Sequence, residues 1–203
     1  MGETILILLF KMAIKTLERI LVIEDHPKHL EDAKRFFGSV DSLKTTYATS
    51  ALEALGEGNH RLGMLDGAET NDESYPENSV IRPVDGVITD LFFPYMRIRE
   101  WNEPAMKERL AVINEAPNGL LIAATCQKRG IPYVICTSGG HHGNKYEWAN
   151  KMNRAMGGPE MIDNFRPGDR YVAGLENTEI EHKHWDLAFE ALKKEFERLS
   201  EHA

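Results

Sequence analysis

A chain of 203 residues with 24 Lys and Arg against 32 Asp and Glu carries a formal charge of −8. That balance favours solubility and speaks against nonspecific nucleic-acid binding, and no basic run or aromatic–basic stripe offsets it. Hydrophobic residues at 42% and charged residues at 28% are ordinary globular values, enough for one domain with a proper core.

Ile5 to Phe10 is apolar but far short of the ~20 residues that span a bilayer. It lacks a basic leader and a small-residue cleavage site, so neither a membrane anchor nor a secretory signal is expected. Residues 1–18 are expected to be an extension and residues 19–203 one domain. Arg19–Ile23 is the first short apolar run of strand type, and Pro27 then suits a first helical position. Leu30, Ala33 and Phe37 share a helical face that Gly38 ends. Lys44–Tyr47 is a weaker second strand, followed by a short helix from Ser50 to Gly56 with Ala51, Leu52 and Leu55 apolar.

Asp85–Asp90 is the third strand. Asn118 is placed to cap a helix over Gly119–Arg129 that Gly130 stops. Pro132–Thr137 is the fourth strand, Tyr146–Met156 a helix, and Arg170–Ala173 the fifth strand. The last helix, His182–Ser200, repeats Trp185, Ala188, Phe189, Leu192, Phe196 and Leu199 at helical spacing, with Glu190 and Lys194 as an i, i+4 pair. Continuous apolarity in the strands suits burial on both faces, and the alternation predicts a doubly wound α/β domain with a five-stranded parallel sheet. Two long insertions interrupt it. Residues 58–83 are polar and acidic, while residues 92–117 are expected to hold a helix at Pro104–Glu115.

Cys126 and Cys136 are the only cysteines, too few for a disulfide framework, so a reducing cytoplasm is expected. In open α/β sheets the working site lies beyond the carboxyl ends of the strands. Glu24 and Asp25 follow the first strand, Asp90 ends the third and Thr137 ends the fourth. Clustered carboxylates repel one another and are best relieved by a hard cation such as Mg²⁺, whose open water positions can take a phosphate. A carboxylate there can itself attack a phosphoryl group, and Thr137 can donate to a phosphoryl oxygen. His141 and His142 form a Gly-flanked pair with no further ligand to complete a tetrahedral metal set. They are expected to be loop residues. No Gly-x-Gly follows the first strand, which disfavours a dinucleotide cofactor.

Ile20–Pro27 (ILVIEDHP), Val87–Pro94 (VITDLFFP) and Gly130–Ser138 (GIPYVICTS) resemble, in that order, three stretches of the response-regulator receiver (CheY-like) family. These are the opening strand with its acidic pair, the phosphoacceptor strand and turn, and the strand ending in the switch hydroxyl. Tyr171 is similar to the fifth-strand aromatic. The resemblance implies a flavodoxin-like strand order 2-1-3-4-5 and a phosphoacceptor at Asp90, with Thr137 as the switch residue. It also implies Mg²⁺ held by Glu24, Asp25, Asp90 and a backbone carbonyl near Phe92. The implied partner is a histidine kinase or another signalling protein, with no nucleic acid, no membrane and output by protein contact; a homodimer is left open.

One piece departs from the pattern. Receivers place a Lys three residues after the fifth-strand aromatic, and here that position is Gly174, with Lys145 or Arg170 as substitutes from other directions. A degenerate receiver acting only through contacts is therefore a second expectation. A turnover enzyme is expected less than either. As an alternative from another class, a haloacid-dehalogenase-like phosphotransferase or phosphatase would use Asp90, Thr137, Lys145 and Gly168–Asp169. It wants a second Asp where Phe92 stands.

Overall fold

In a computed structural model the described residues are 16–55, 84–93, 116–138, 147–162 and 183–201. The expected strand at Arg170–Ala173, the helix at Pro104–Glu115, the insertion at 58–83, residues 94–115 of the second insertion, Lys145, Gly174 and His141–His142 lie outside them. The elements in chain order are β1 (Arg19–Ile23), α1 (Pro27–Phe37), β2 (Lys44–Ala48), α2 (Ala51–Leu55) and β3 (Gly86–Thr89). Then follow α3 (Asn118–Arg129), β4 (Tyr133–Ile135), α4 (Glu147–Ala155) and α5 (Trp185–Ser200).

The four described strands form one parallel sheet in the order β2-β1-β3-β4. β1, β3 and β4 are buried on both faces, as their unbroken apolarity requires, while the edge strand β2 (KTTYA) is only partly buried. Alternation divides their side chains. Leu21, Ile23, Val87, Tyr133 and Ile135 join α2, α3 and α4 in one core, while Ile20, Val22, Ile88, Val134 and Cys136 join α1 and α5 in the other. The sheet is thus doubly wound, and the chain reverses its direction of travel between β1 and β3. That switch point opens a crevice at the strand carboxyl ends.

Beside β4, where a fifth strand belongs, Ile162 makes a parallel bridge to Cys136. Ile162 N donates to Ile135 O and Thr137 N donates to Ile162 O, both at 2.9 Å. Met161 is fully buried next to it. The described occupant of the fifth position is therefore Met161–Ile162, directly after Gly157-Gly158-Pro159 end the α4 region.

Three local expectations shift. The buried face of α1 is His29, Ala33 and Phe37, with Leu30 half-buried. This helix docks one residue round from the apolar stripe, with Phe37 of its buried face packed edge-on against Trp185 and Phe189 of α5. Glu190 pairs with Lys193 rather than Lys194. Asn118 does not cap α3: Pro117 occupies the cap position, Asn118 is the first helical residue, and its side chain bonds elsewhere. Gly130 closes α3 as expected, in the left-handed conformation at φ 67°.

Candidate functional site

The sheet itself delivers the acids. Glu24 N donates to Ala48 O and Asp90 N donates to Ile23 O, each at 2.9 Å, so the ladders run one step past β1 and β3 and hold both backbones. One carboxylate oxygen from each of Glu24, Asp25 and Asp90 lies within 4.8 Å of the others. Glu24 and Asp90 are buried, and Asp25 is exposed at the rim. The three predicted acids do meet.

Their described counter-charge is Lys183, two residues ahead of α5. Its ammonium contacts Glu24 Oε2 and lies 2.9 Å from Asp90 Oδ1, with the Lys183 and Glu24 side chains both 0% exposed. Glu24 Oε1 accepts from His26 N at 3.0 Å, and Asp90 Oδ1 also accepts from Leu91 N at 2.8 Å. The Lys183 ammonium stands 5.6 Å from the centre of the Trp185 ring. Burial pulls the Lys183 pKa down, but Asp90 and then Glu24 outweigh it, so the group is held charged above its ordinary range.

Burial pushes Glu24 up to about 7, with Lys183 opposing and Asp90 adding to the rise. Asp25 is raised by partial desolvation and then by the Asp90 charge. Among the described residues three carboxylates thus face one ammonium, and with all ionised two negative charges remain, which one divalent cation would balance. Oxygen donors at this spacing suit Mg²⁺, which takes carboxylates while keeping waters. The residues present fit the ion.

Thr137 is buried one residue beyond the Cys136 N to Thr89 O bond of 2.8 Å. It therefore ends at the same edge as Asp90, on the neighbouring strand. Phe92 lies in the turn after Asp90, half-buried against the core. That turn is tied to the start of α3: Gly119 N donates to Leu91 O at 3.0 Å, and Asn118 Nδ2 donates to Phe93 O at 2.6 Å.

His29 sits on the buried face of α1 with no partner for Nδ1 among the described residues. Burial, then the Lys183 charge, lowers it to about 4 from 6.5. A lowered histidine binds fewer protons folded than unfolded, so it contributes stability above pH 6.5 that is lost as pH falls towards 4. His29→Gln is therefore expected to gain stability relative to the parent as pH falls from 6.5 to about 4, by no more than about 1.4 kcal/mol per pH unit. Urea unfolding of both proteins at stepped pH measures this. A difference that stays flat across that window would contradict it.

Lys183 is the residue that sequence reasoning missed. Counting a fixed spacing from Tyr171 leads to Gly174, whereas the described cation comes from the stretch just before α5. The available signal was local: a Lys two residues ahead of Trp185, the first apolar residue of an amphipathic helix that starts at the strand carboxyl edge.

No protein-family model matches the chain, and no curated protein matches its sequence. Among solved structures it is similar to a response regulator receiver domain protein (CheY-like) from Methanospirillum hungatei JF-1. The TM-score is 0.51 at 12% identity, covering 93% of this chain and 100% of that one. A response regulator receiver domain protein from Clostridium thermocellum gives 0.49 at 17% identity, covering 92% of this chain and 100% of that one. The receiver domain of Francisella response regulator 1452 gives 0.47 at 15%, with 89% and 98% covered. At these identities the likeness is one of fold. The chain has the receiver-domain fold, and what its corner does rests on its own residues. Among the described residues no helix is long and apolar enough to cross a membrane.

Proposed function

We propose that this chain is a receiver-like signalling domain that accepts a phosphoryl group on Asp90, with Mg²⁺ held by Glu24, Asp25, Asp90 and a backbone carbonyl near Phe92. The observation that carries the reading is Lys183, whose ammonium lies 2.9 Å from Asp90 Oδ1 inside an otherwise acidic corner. A corner that kept only its acids would suit a contact module. An acid cluster with a buried cation on the acceptor suits charge transfer to that acceptor.

Asp90 Oδ1 is held by Leu91 N and Lys183, which leaves Oδ2 as the attacking oxygen. The new bond forms between Oδ2 and phosphorus as the donor's bond to phosphorus breaks, and the donor leaves with its electron pair. Bound Mg²⁺ supplies neutralisation of the phosphoryl oxygens. Lys183 follows the incoming charge, and the Thr137 hydroxyl donates to it from the neighbouring strand. The donor is a phosphohistidine of a kinase or a small phosphodonor, and the charged state is read by protein contact. Cytoplasmic residence and the absence of nucleic-acid binding belong to the same reading. Phe92 packs against the core where a haloacid-dehalogenase-like enzyme needs its general acid, so transfer to Asp90 is favoured over turnover.

Beryllofluoride with Mg²⁺ tests this, since it mimics an acyl phosphate on Asp. Calorimetry is expected to show stoichiometric, Mg²⁺-dependent binding by the parent and none by Asp90→Asn. A parent protein that fails to bind sinks the switch reading. Hydrolysis of p-nitrophenyl phosphate that vanishes in Asp90→Asn would favour the phosphatase instead.

A further inference from the structure

The turn that follows Asp90 ends at Phe93, and α3 begins at Asn118. Twenty-four residues lie between, far more than the roughly 2–6 usual in a βα connection. A short connection would hold the turn by covalent restraint alone. Here the two ends are instead joined by side chain and backbone. Asn118 Nδ2 donates to Phe93 O at 2.6 Å, and Gly119 N donates to Leu91 O at 3.0 Å. Asn118, Leu91 and Phe93 are all buried. Gly119 lies so close that a Cβ there would stand 2.2 Å from Asp90 O.

We infer that Asn118 is a positioning residue for the Asp90 corner. Its carboxamide closes the long excursion into a ring, so that the Asp90–Phe93 turn keeps one geometry whatever residues 94–117 do. The amide is suited to this because it presents a donor to Phe93 O without adding a charge beside three carboxylates. Its partner is a buried carbonyl that would otherwise lack water. The turn it fixes carries Leu91 N, which holds Asp90 Oδ1, and the Phe92 carbonyl that the proposed Mg²⁺ site uses. A hydrogen bond that orients metal ligands from behind typically accounts for 10–100-fold in metal affinity.

The inference rests on the Mg²⁺-binding reading of Asp90, and its test separates the two. Asn118→Ala in the full chain is expected to bind Mg²⁺ about tenfold more weakly than the parent, by calorimetry under conditions where both are folded. In metal-free ¹⁵N spectra its Leu91 amide should also shift and exchange faster. A role in stability alone would lower the melting temperature and leave both readouts where they were, and that result overturns the inference. If the parent binds no Mg²⁺, the site reading fails, and the Leu91 amide still decides whether Asn118 positions the turn. Should Asn118→Ala not fold, hydrogen exchange on the parent decides. Mg²⁺ should then slow the Gly119 and Leu91 amides together, and a response at Leu91 without one at Gly119 would overturn the coupling.

Discussion

Replacing Lys183 by Met is expected to cost about 3–5 kcal/mol of folding stability at neutral pH, the usual result of removing one partner from a buried ion pair. The side chain is 0% exposed and bonded to two carboxylates, so its loss leaves Glu24 and Asp90 facing each other inside the protein with Asp25 nearby. Two conditions should return part of that stability. A raised acid binds more protons folded than unfolded, so relief from Glu24 in the parent is present below pH 4.5 and lost as pH rises through about 7. Lys183 lowers Glu24, so in Lys183→Met the acid is raised further and gains more from protonation. Acidification from pH 7.5 to 5.5 should therefore narrow the gap between Lys183→Met and the parent. Mg²⁺ should narrow it too, because it replaces the missing charge and no longer competes with an ammonium for Glu24. Beryllofluoride binding should nevertheless be lost. Urea unfolding at both pH values, with and without Mg²⁺, gives all four comparisons. A loss below 1 kcal/mol that ignores both pH and Mg²⁺ would mean that Lys183 does not neutralise the corner.

Gly119→Ala is expected to destabilise by about 2–3 kcal/mol, the upper range for forcing extra volume into a packed site. The added methyl would meet Asp90 O at 2.2 Å and Leu91 Cα at 2.9 Å. Both are backbone atoms, so neither can rotate away and the acceptor turn has to move. The same displacement should weaken Mg²⁺ binding by about tenfold or more. Gly158→Ala is the natural control. Its methyl would meet Tyr133 Oη at 2.2 Å and Asn153 Oδ1 at 2.5 Å, at the far end of β4. It should lower stability and leave Mg²⁺ affinity unchanged. Equal affinity in Gly119→Ala and the parent would separate α3 from the corner.

Buried strands were the legible part of the sequence, because a parallel sheet writes itself as short unbroken apolar runs. Arg19–Ile23, Asp85–Asp90 and Pro132–Thr137 were found that way, and with them the three acids at their ends. What stayed hidden depends on distance along the chain. Lys183 has only the weak local mark of preceding an amphipathic helix, and its burial follows from where α5 packs on β3 and β4. Met161–Ile162 is only two apolar residues long, too short for periodicity to register, although the Gly-Gly-Pro before it marks the end of a helix. Asn118 has a sequence position that fits helix capping, but a sequence shows which bonds an amide can make and not which partner a long loop will bring to it. His29 entered the α1 face for a similar reason: an apolar stripe fixes a helix's facing only to within a residue.

The bond between Lys183 and Glu24 joins residues 159 positions apart. Contacts of that span are among the last to form, since the chain must lose loop entropy before they return anything. During synthesis the acids of β1 and β3 emerge well before their counter-ion. Until Lys183 arrives, Glu24 and Asp90 lack the ammonium that pairs with them in the folded protein. On the Mg²⁺-binding reading, a cation bound in that interval would take the place of Lys183. Refolding of the full chain from urea should therefore be faster with Mg²⁺ than without it, and equal rates would contradict this.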